Sequence, residues 1–148
     1  MASTRKILTS LHGRKVGLDV NGDLIVGGRK VVTQDDTGGV KIEQPAPIAV
    51  NATATITSAG LLTGIITSTT AAAVTGTLPT GTLLDAASGL LVGEAFDWSV
   101  IATGANAFTV APGTDHTIVG GAVVATATTG RFRSRKTASN TFVTYRIA

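Results

Sequence analysis

Between Pro45 and Gly130 the chain carries no lysine or arginine, and its only acids there are Asp85, Glu94, Asp97 and Asp115. A stretch of that length needs some means other than surface cations to stay out of aggregates. Threonine hydroxyls supply part of it, since 25 of the 148 residues are Thr and a further 18 are Gly. The remainder points to burial against further copies of the chain. Exposed apolar patches beyond a few hundred Å2 mark interfaces, and obligate homo-oligomers bury more apolar surface than transient complexes. Charged residues make up only 14% of the chain, against about 25% in an ordinary soluble domain, and the mean hydropathy is +0.35. That balance excludes disorder, which needs a polar and charged composition. The absence of cysteine excludes a disulfide scaffold and a Cys-based zinc site. No apolar run reaches the roughly 18 residues of a membrane-crossing helix. Met1 to Lys6 lacks the apolar core of a signal peptide, so the expectation is a chain made and kept in a cytoplasm.

Charge gathers at the two ends. Residues 1–44 hold Arg5, Lys6, Arg14, Lys15, Arg29, Lys30 and Lys41 together with five acids, and Arg131, Arg133, Arg135, Lys136 and Arg146 follow Gly130 without one. Residues 1–15 read as an extended basic arm with Leu8 and Leu11 as anchors. Asn21-Gly22, between Val16–Val20 and Asp23–Val26, is a strong hairpin signal, because a type I′ turn needs positive φ at both central positions. Gly27-Gly28 makes a second tight turn into Arg29–Val32, and Gln34–Gly39 reads as a loop. Pro45 and Pro47 punctuate the chain. They divide an arm-plus-hairpin region, 1–44, from a main domain, 45–148.

The main domain opens with Ile48, Val50, Ala52, Ala54 and Ile56 at period two, the pattern of one half-buried strand. Ser58–Leu62 reads as a helical turn, and Thr80–Ala87 as another, capped by Thr80 after Pro79. Ile65–Leu78 is strand-like. Phe96, Trp98 and Val100 share one face of Glu94–Ala102. Phe108–Val110 and His116–Val119 are short strands parted by Pro112-Gly113. Ala122–Lys136 and Thr141–Ile147 form a closing hairpin about Ala138-Ser139-Asn140. Several short strands with turn signals every roughly 8–12 residues predict an all-β fold, a jelly-roll-like antiparallel β-sandwich with an N-terminal arm and β-hairpin. No internal repeat is evident. All six aromatic residues fall at or after Phe96, which places the densest core there.

Catalytic chemistry is hard to find. His12 and His116 are the only imidazoles, too few for a metal site without cysteine. Asp115-His116 invites a Ser-His-Asp relay, but no nucleophile sits in a G-x-S-x-G turn. Asp36-Thr37-Gly38 matches the D-T-G loop of retroviral-type aspartic proteases. However, Thr33-Gln34-Asp35 precedes it where a rigid apolar strand is needed, so a turn is the better reading. No phosphate-binding glycine loop is present. The alternation Arg131-Phe132-Arg133-Ser134-Arg135 puts three guanidinium groups on one strand face about 7 Å apart. Such a row grips phosphates or an acidic protein surface, or simply solvates the domain. No aromatic alternates on that face to stack bases.

The segments Thr9–Arg14, Gly17–Asp19 and Asn21–Leu24 together resemble the opening of small structural proteins of tailed bacteriophages. Leu78-Pro79 with Ala86-Ala87, Gly93–Phe96, Thr103–Ala105, Arg131–Arg133 and Phe142–Ile147 resemble domains of phage virion proteins. The resemblance spans most of the chain and implies a capsid decoration (cement) protein. Such a protein has no enzymatic activity, cofactor or metal, and its partners are itself, as a homotrimer, and the phage major capsid protein, with no nucleic acid or membrane. Its place is the capsid exterior of a virion assembled in the host cytoplasm. The basic arm then supplies the capsid contact through Arg5, Lys6, Leu8, Leu11, Arg14 and Lys15. The alternative is a tail-fibre or baseplate component with a receptor-binding role.

Overall fold

In a computed structural model of the chain, residues 44–148 are described throughout, and before them the strand backbones at 8–11, 14–18, 24–26, 29–34 and 40–41. Internal contacts divide the chain into two units, Met1–Gln44 and Pro45–Ala148.

The first unit is an antiparallel meander of β1 (Leu8–Leu11), β2 (Arg14–Leu18), β3 (Leu24–Val26), β4 (Arg29–Gln34) and β5 (Val40–Lys41), paired in chain order. Leu18 pairs with Leu24 and Val26 with Arg29; the turns expected at Asn21-Gly22 and Gly27-Gly28 lie outside the described residues. The expected extended arm is corrected over part of its length. Leu8 pairs with Val16 and Leu11 with Arg14, so Leu8, Leu11, Arg14 and Lys15 belong to a hairpin. An extended backbone with a complementary strand two residues further on satisfies its donors and acceptors by pairing. Arg5, Lys6, His12 and Asp36 lie outside the described residues.

The second unit is mainly β. In chain order it holds β6 (Ile48–Ala49), β7 (Ala54–Thr55), α1 (Ser58–Leu61), β8 (Ile65–Ser68), β9 (Val74–Thr77), α2 (Gly81–Ser88), β10 (Ala95–Ala102), β11 (Phe108–Ala111), β12 (His116–Val119), β13 (Val123–Val124), β14 (Thr128–Ala138) and β15 (Thr141–Arg146). They form a six-stranded sheet, β12-β15-β14-β10-β8-β6, and a four-stranded sheet, β13-β11-β9-β7.

The pairing is mixed, which corrects the antiparallel expectation. β6, β8 and β10 are mutually parallel, as are β7, β9 and β11, and β12 runs parallel to β15. The chain therefore coils. Each of three turns lays one strand in the six-stranded sheet and the next in the four-stranded sheet, and a helix leads from one turn to the following one. Equivalent positions stack: Ile48 on Ile66 on Val100, and Ala54 on Gly76 on Val110. The period-two run from Ile48 to Ile56 is thus not one strand but two, β6 and β7, that cross from sheet to sheet while keeping Val50 and Ile56 buried. The coil ends where β14 covers β10 and β13 covers β11, both antiparallel.

Local chemistry sets the corners. Thr57 Oγ1 accepts from the Gly60 amide at 3.1 Å and Thr80 Oγ1 from the Leu83 amide at 3.3 Å, so each helix starts on a threonine cap. Gly89 ends α2 in the left-handed region at φ 61°, where a residue without Cβ carries no steric penalty. Trp98 and Phe132 stack at 4.6 Å between ring centroids, both fully buried. The Trp98 Nε1–H donates to Ser134 Oγ at 2.9 Å, and Ser134 Oγ lies 2.8 Å from Thr144 Oγ1. The buried polar groups of Trp98, Ser134 and Thr144 are thereby matched to one another.

Gly76 shows how tight the stacking is. A methyl group there would overlap the Phe108 ring and approach Ile56 Cδ1 to 2.9 Å. Gly76→Ala is expected to destabilise the protein by about 1–3 kcal/mol through overpacking, read as a lower denaturant midpoint at unchanged slope.

Candidate interaction surface

The outer face of the six-stranded sheet is set by alternation along β14. Gly130, Phe132 and Ser134 point into the core, and Arg131, Arg133 and Arg135 point out. In register beside them are Ser99, Asp97 and Ala95 on β10, with Tyr145 and Val143 on β15 next to Arg133 and Arg135. One carboxylate serves two of the arginines. Arg133 donates Nε to Asp97 Oδ1 at 2.6 Å and Nη2 to Oδ2 at 2.9 Å, and Arg131 Nη2 reaches the same Oδ2 at 2.8 Å. The Arg133 bonds, aided by Arg131 and opposed by partial burial, hold the Asp97 carboxyl below its ordinary range. The Arg135 guanidinium has neither hydrogen bond nor ion pair among the described residues. The row is therefore a partly neutralised cationic face with surplus positive charge, flanked by Tyr145 and Val143.

The other cations of this region are structural. Lys136 Nζ donates to Asp85 Oδ1 and to the Leu90 carbonyl at 2.9 Å, and Asp85 Oδ2 accepts from the Asn140 amide at 2.8 Å. The Lys136 bond, followed by that from Asn140, lowers the Asp85 pKa. This latch ties α2 to the β14–β15 turn, where Asn140 adopts φ 57°. Arg146 lies over Phe132 at 5.0 Å and donates to the Val123 carbonyl at 3.2 Å.

The exposed large apolar side chains among the described residues are Leu83, Leu91 and Val92, each about three-fifths exposed, on α2 and the loop after it, and Val119, Val123, Tyr145 and Ile147 in the C-terminal third. The Asp115-His116 relay is not assembled. His116 is buried with Nδ1 2.9 Å from the Pro79 carbonyl, so Nδ1 carries the proton, and Nε2 meets no partner. Asp115 instead uses its backbone carbonyl to accept from the Phe142 amide at 3.0 Å. Among the described residues no group of three or more His, Asp or Glu could hold a metal, and no helix is long and apolar enough to cross a membrane. The sequence pattern finds the arginine row but not Asp97 as its counter-ion, because that contact depends on the β10–β14 register. No protein-family model, curated protein or solved structure matches the chain.

Burial depresses the His116 pKa below its ordinary 6.5, against the opposing Pro79 bond. A depressed folded pKa means that the unfolded chain binds the proton first, so stability is full above pH 6.5 and falls as pH drops below it. Asp85 and Asp97 add a second loss below their ordinary 3.8, on the approach to their lower folded values. Thermal melts from pH 8 to 3 are expected to show both stages. His116→Gln should flatten the first and leave the second.

Proposed function

We propose that the chain is a non-enzymatic structural protein of a tailed-phage virion, a homotrimer that binds the outside of the capsid and cements neighbouring major-capsid subunits. The observation that supports this best is the surface of the Pro45–Ala148 unit. A densely packed core displays exposed Leu83, Leu91 and Val92 on one segment and leaves an entire coil turn without charge. A surface of that kind suits association with further copies. On this reading the six- and four-stranded sheets are the two layers of a sandwich that takes the place of a jelly roll, since one core cluster draws on Trp98 and Phe132 from the first and on Phe108 and Val110 from the second.

Residues 1–44 are the capsid-binding part, with Arg5, Lys6, Arg14 and Lys15 meeting acidic capsid surface and Leu8 and Leu11 adding apolar contact. Each attachment is weak. Three on one trimer act at high effective concentration, which raises avidity by about 10²–10⁴ over a single site. Charge across the contact governs encounter and register more than affinity. The surplus charge of Arg135 beside Arg131 and Arg133 gives the body a second acid-seeking face.

Sedimentation equilibrium is expected to give a mass near three chains, and the protein is expected to pellet with capsids of the phage that encodes it. Reversing the charge of Arg5, Lys6, Arg14 and Lys15 together should weaken pelleting by about 100-fold or more while the trimer persists. Unchanged pelleting would overturn the attachment model, and labelling on the tail instead of the head would establish the tail-fibre or baseplate reading.

A further inference from the structure

The outer face of the six-stranded sheet sets a second chemistry beside its arginines. Residues paired in register on neighbouring strands share one face of a sheet. Val119 on β12 pairs with Tyr145 on β15, and Tyr145 with Arg133 on β14. One rung along, Thr117 pairs with Val143, and Val143 with Arg135. The Ile147 amide donates to the Arg131 carbonyl at 2.9 Å, which sets Ile147 beside the third arginine. The inward neighbours His116, Phe142 and Thr144 are buried, whereas Val119 and Ile147 are about half exposed and Tyr145 is 36% exposed. An apolar strip on β12 and β15 therefore runs alongside the cationic strip on β14. The two together measure about 10 Å across the strands and about 13 Å along them.

Charge selects what can lie on this face. Residues 1–44 carry seven cations against five acids, so they bring surplus positive charge of their own. A second copy of the Pro45–Ala148 unit brings four carboxylates, and three are already committed. Asp85 accepts from Lys136 and the Asn140 amide, Glu94 from the Leu91 amide at 2.8 Å, and Asp97 from two arginines. That leaves Asp115 alone to meet an arginine row. Acid in excess has to come from another molecule. A phosphate polymer supplies it but gains nothing from the apolar strip, whose removal from water favours a partner with apolar side chains of its own. Tyrosine and arginine side by side are the residues in which protein interfaces are enriched.

We infer that the β12-β15-β14 face docks a segment of another protein in which carboxylates adjoin apolar side chains. The carboxylates meet Arg135 and the outer donors of Arg131 and Arg133, and the apolar side chains cover Val119, Val143 and Tyr145. On the cement reading given above, on which this contact rests, the segment belongs to the capsid surface. The face then adds an attachment on the body to that of residues 1–44. A patch of this size holds weakly by itself, and three on one trimer hold together.

The test titrates pelleting of the full-length protein with capsids, using variants that alter one strip at a time and circular dichroism as the fold control. Arg135→Gln removes the unpaired charge. Val119→Ser and Tyr145→Ser remove apolar surface at constant charge. Val123→Ser, at an exposed apolar position on the four-stranded sheet, is the control. Each of the three face variants is expected to weaken capsid binding by about tenfold or more, and Val123→Ser to leave it unchanged. If Tyr145→Ser loses its β spectrum, Val119→Ser decides for the apolar strip. A folded Arg135→Gln or Val119→Ser that binds like the wild type would overturn the docking face and leave the cement reading standing. Loss confined to Arg135→Gln, with a fluorescent oligothymidylate bound by the wild type and released by that variant, would assign the face to a phosphate polymer and overturn the protein partner. A wild type that does not pellet would remove the cement reading, and the docking face with it.

Discussion

The stacking of Ile48 on Ile66 on Val100, and of Ala54 on Gly76 on Val110, is the constraint on which the rest of the Pro45–Ala148 unit depends. Parallel strands cannot be joined by a tight hairpin, so each must be reached by a long return path. Here the return path crosses a second sheet and then a short helix. Both sheets consequently advance together, one strand per turn, and a slip of one residue in either ladder would turn its buried side chains to solvent. The threonine caps at Thr57 and Thr80 restart the chain at the same corner of successive turns. Gly76 is the point where side-chain volume yields to register, because the Phe108 ring occupies the space above it.

Charge is laid over this scaffold in a way that keeps the core neutral. The β14 arginines sit on the solvent side of a strand whose inward side carries Phe132 and Ser134. Asp97 gathers two of them into one network. Lys136 and Asp85 are the least exposed ion pair of the described residues, with side-chain exposures of 11% and 16%. Their role is attachment of α2 to the C-terminal hairpin. Exposed pairs of the Arg131–Asp97 kind contribute little to folding, so the value of that network lies in the surface it presents.

Much of the local structure is legible in the residues themselves. Thr80 after Pro79 marks a cap, Ser139-Asn140 marks the β14–β15 turn, and the alternation around Trp98 marks a buried strand face. The partners of those strands are not legible. Period two says which side of a strand is buried but not which strand lies beside it or in which direction, and so an antiparallel sandwich was the natural expectation. The coil hides from a search for repeats because the spacing from Ile48 to Ile66 is much shorter than that from Ile66 to Val100, and because the second stack, Ala54, Gly76 and Val110, shares neither identity nor size. The Asp97 bridge and the Lys136–Asp85 latch are equally silent, since each joins residues far apart in the chain through tertiary register alone.

The unequal helices at the returning corner carry a consequence of their own. α1 has 4 residues and α2 has 8, yet both deliver the chain to equivalent positions in the ladder. That corner tolerates length, whereas the strands do not. Residues inserted between the exposed Leu91 and Val92, just past the second corner, would therefore add to the periphery without altering the pitch of the coil.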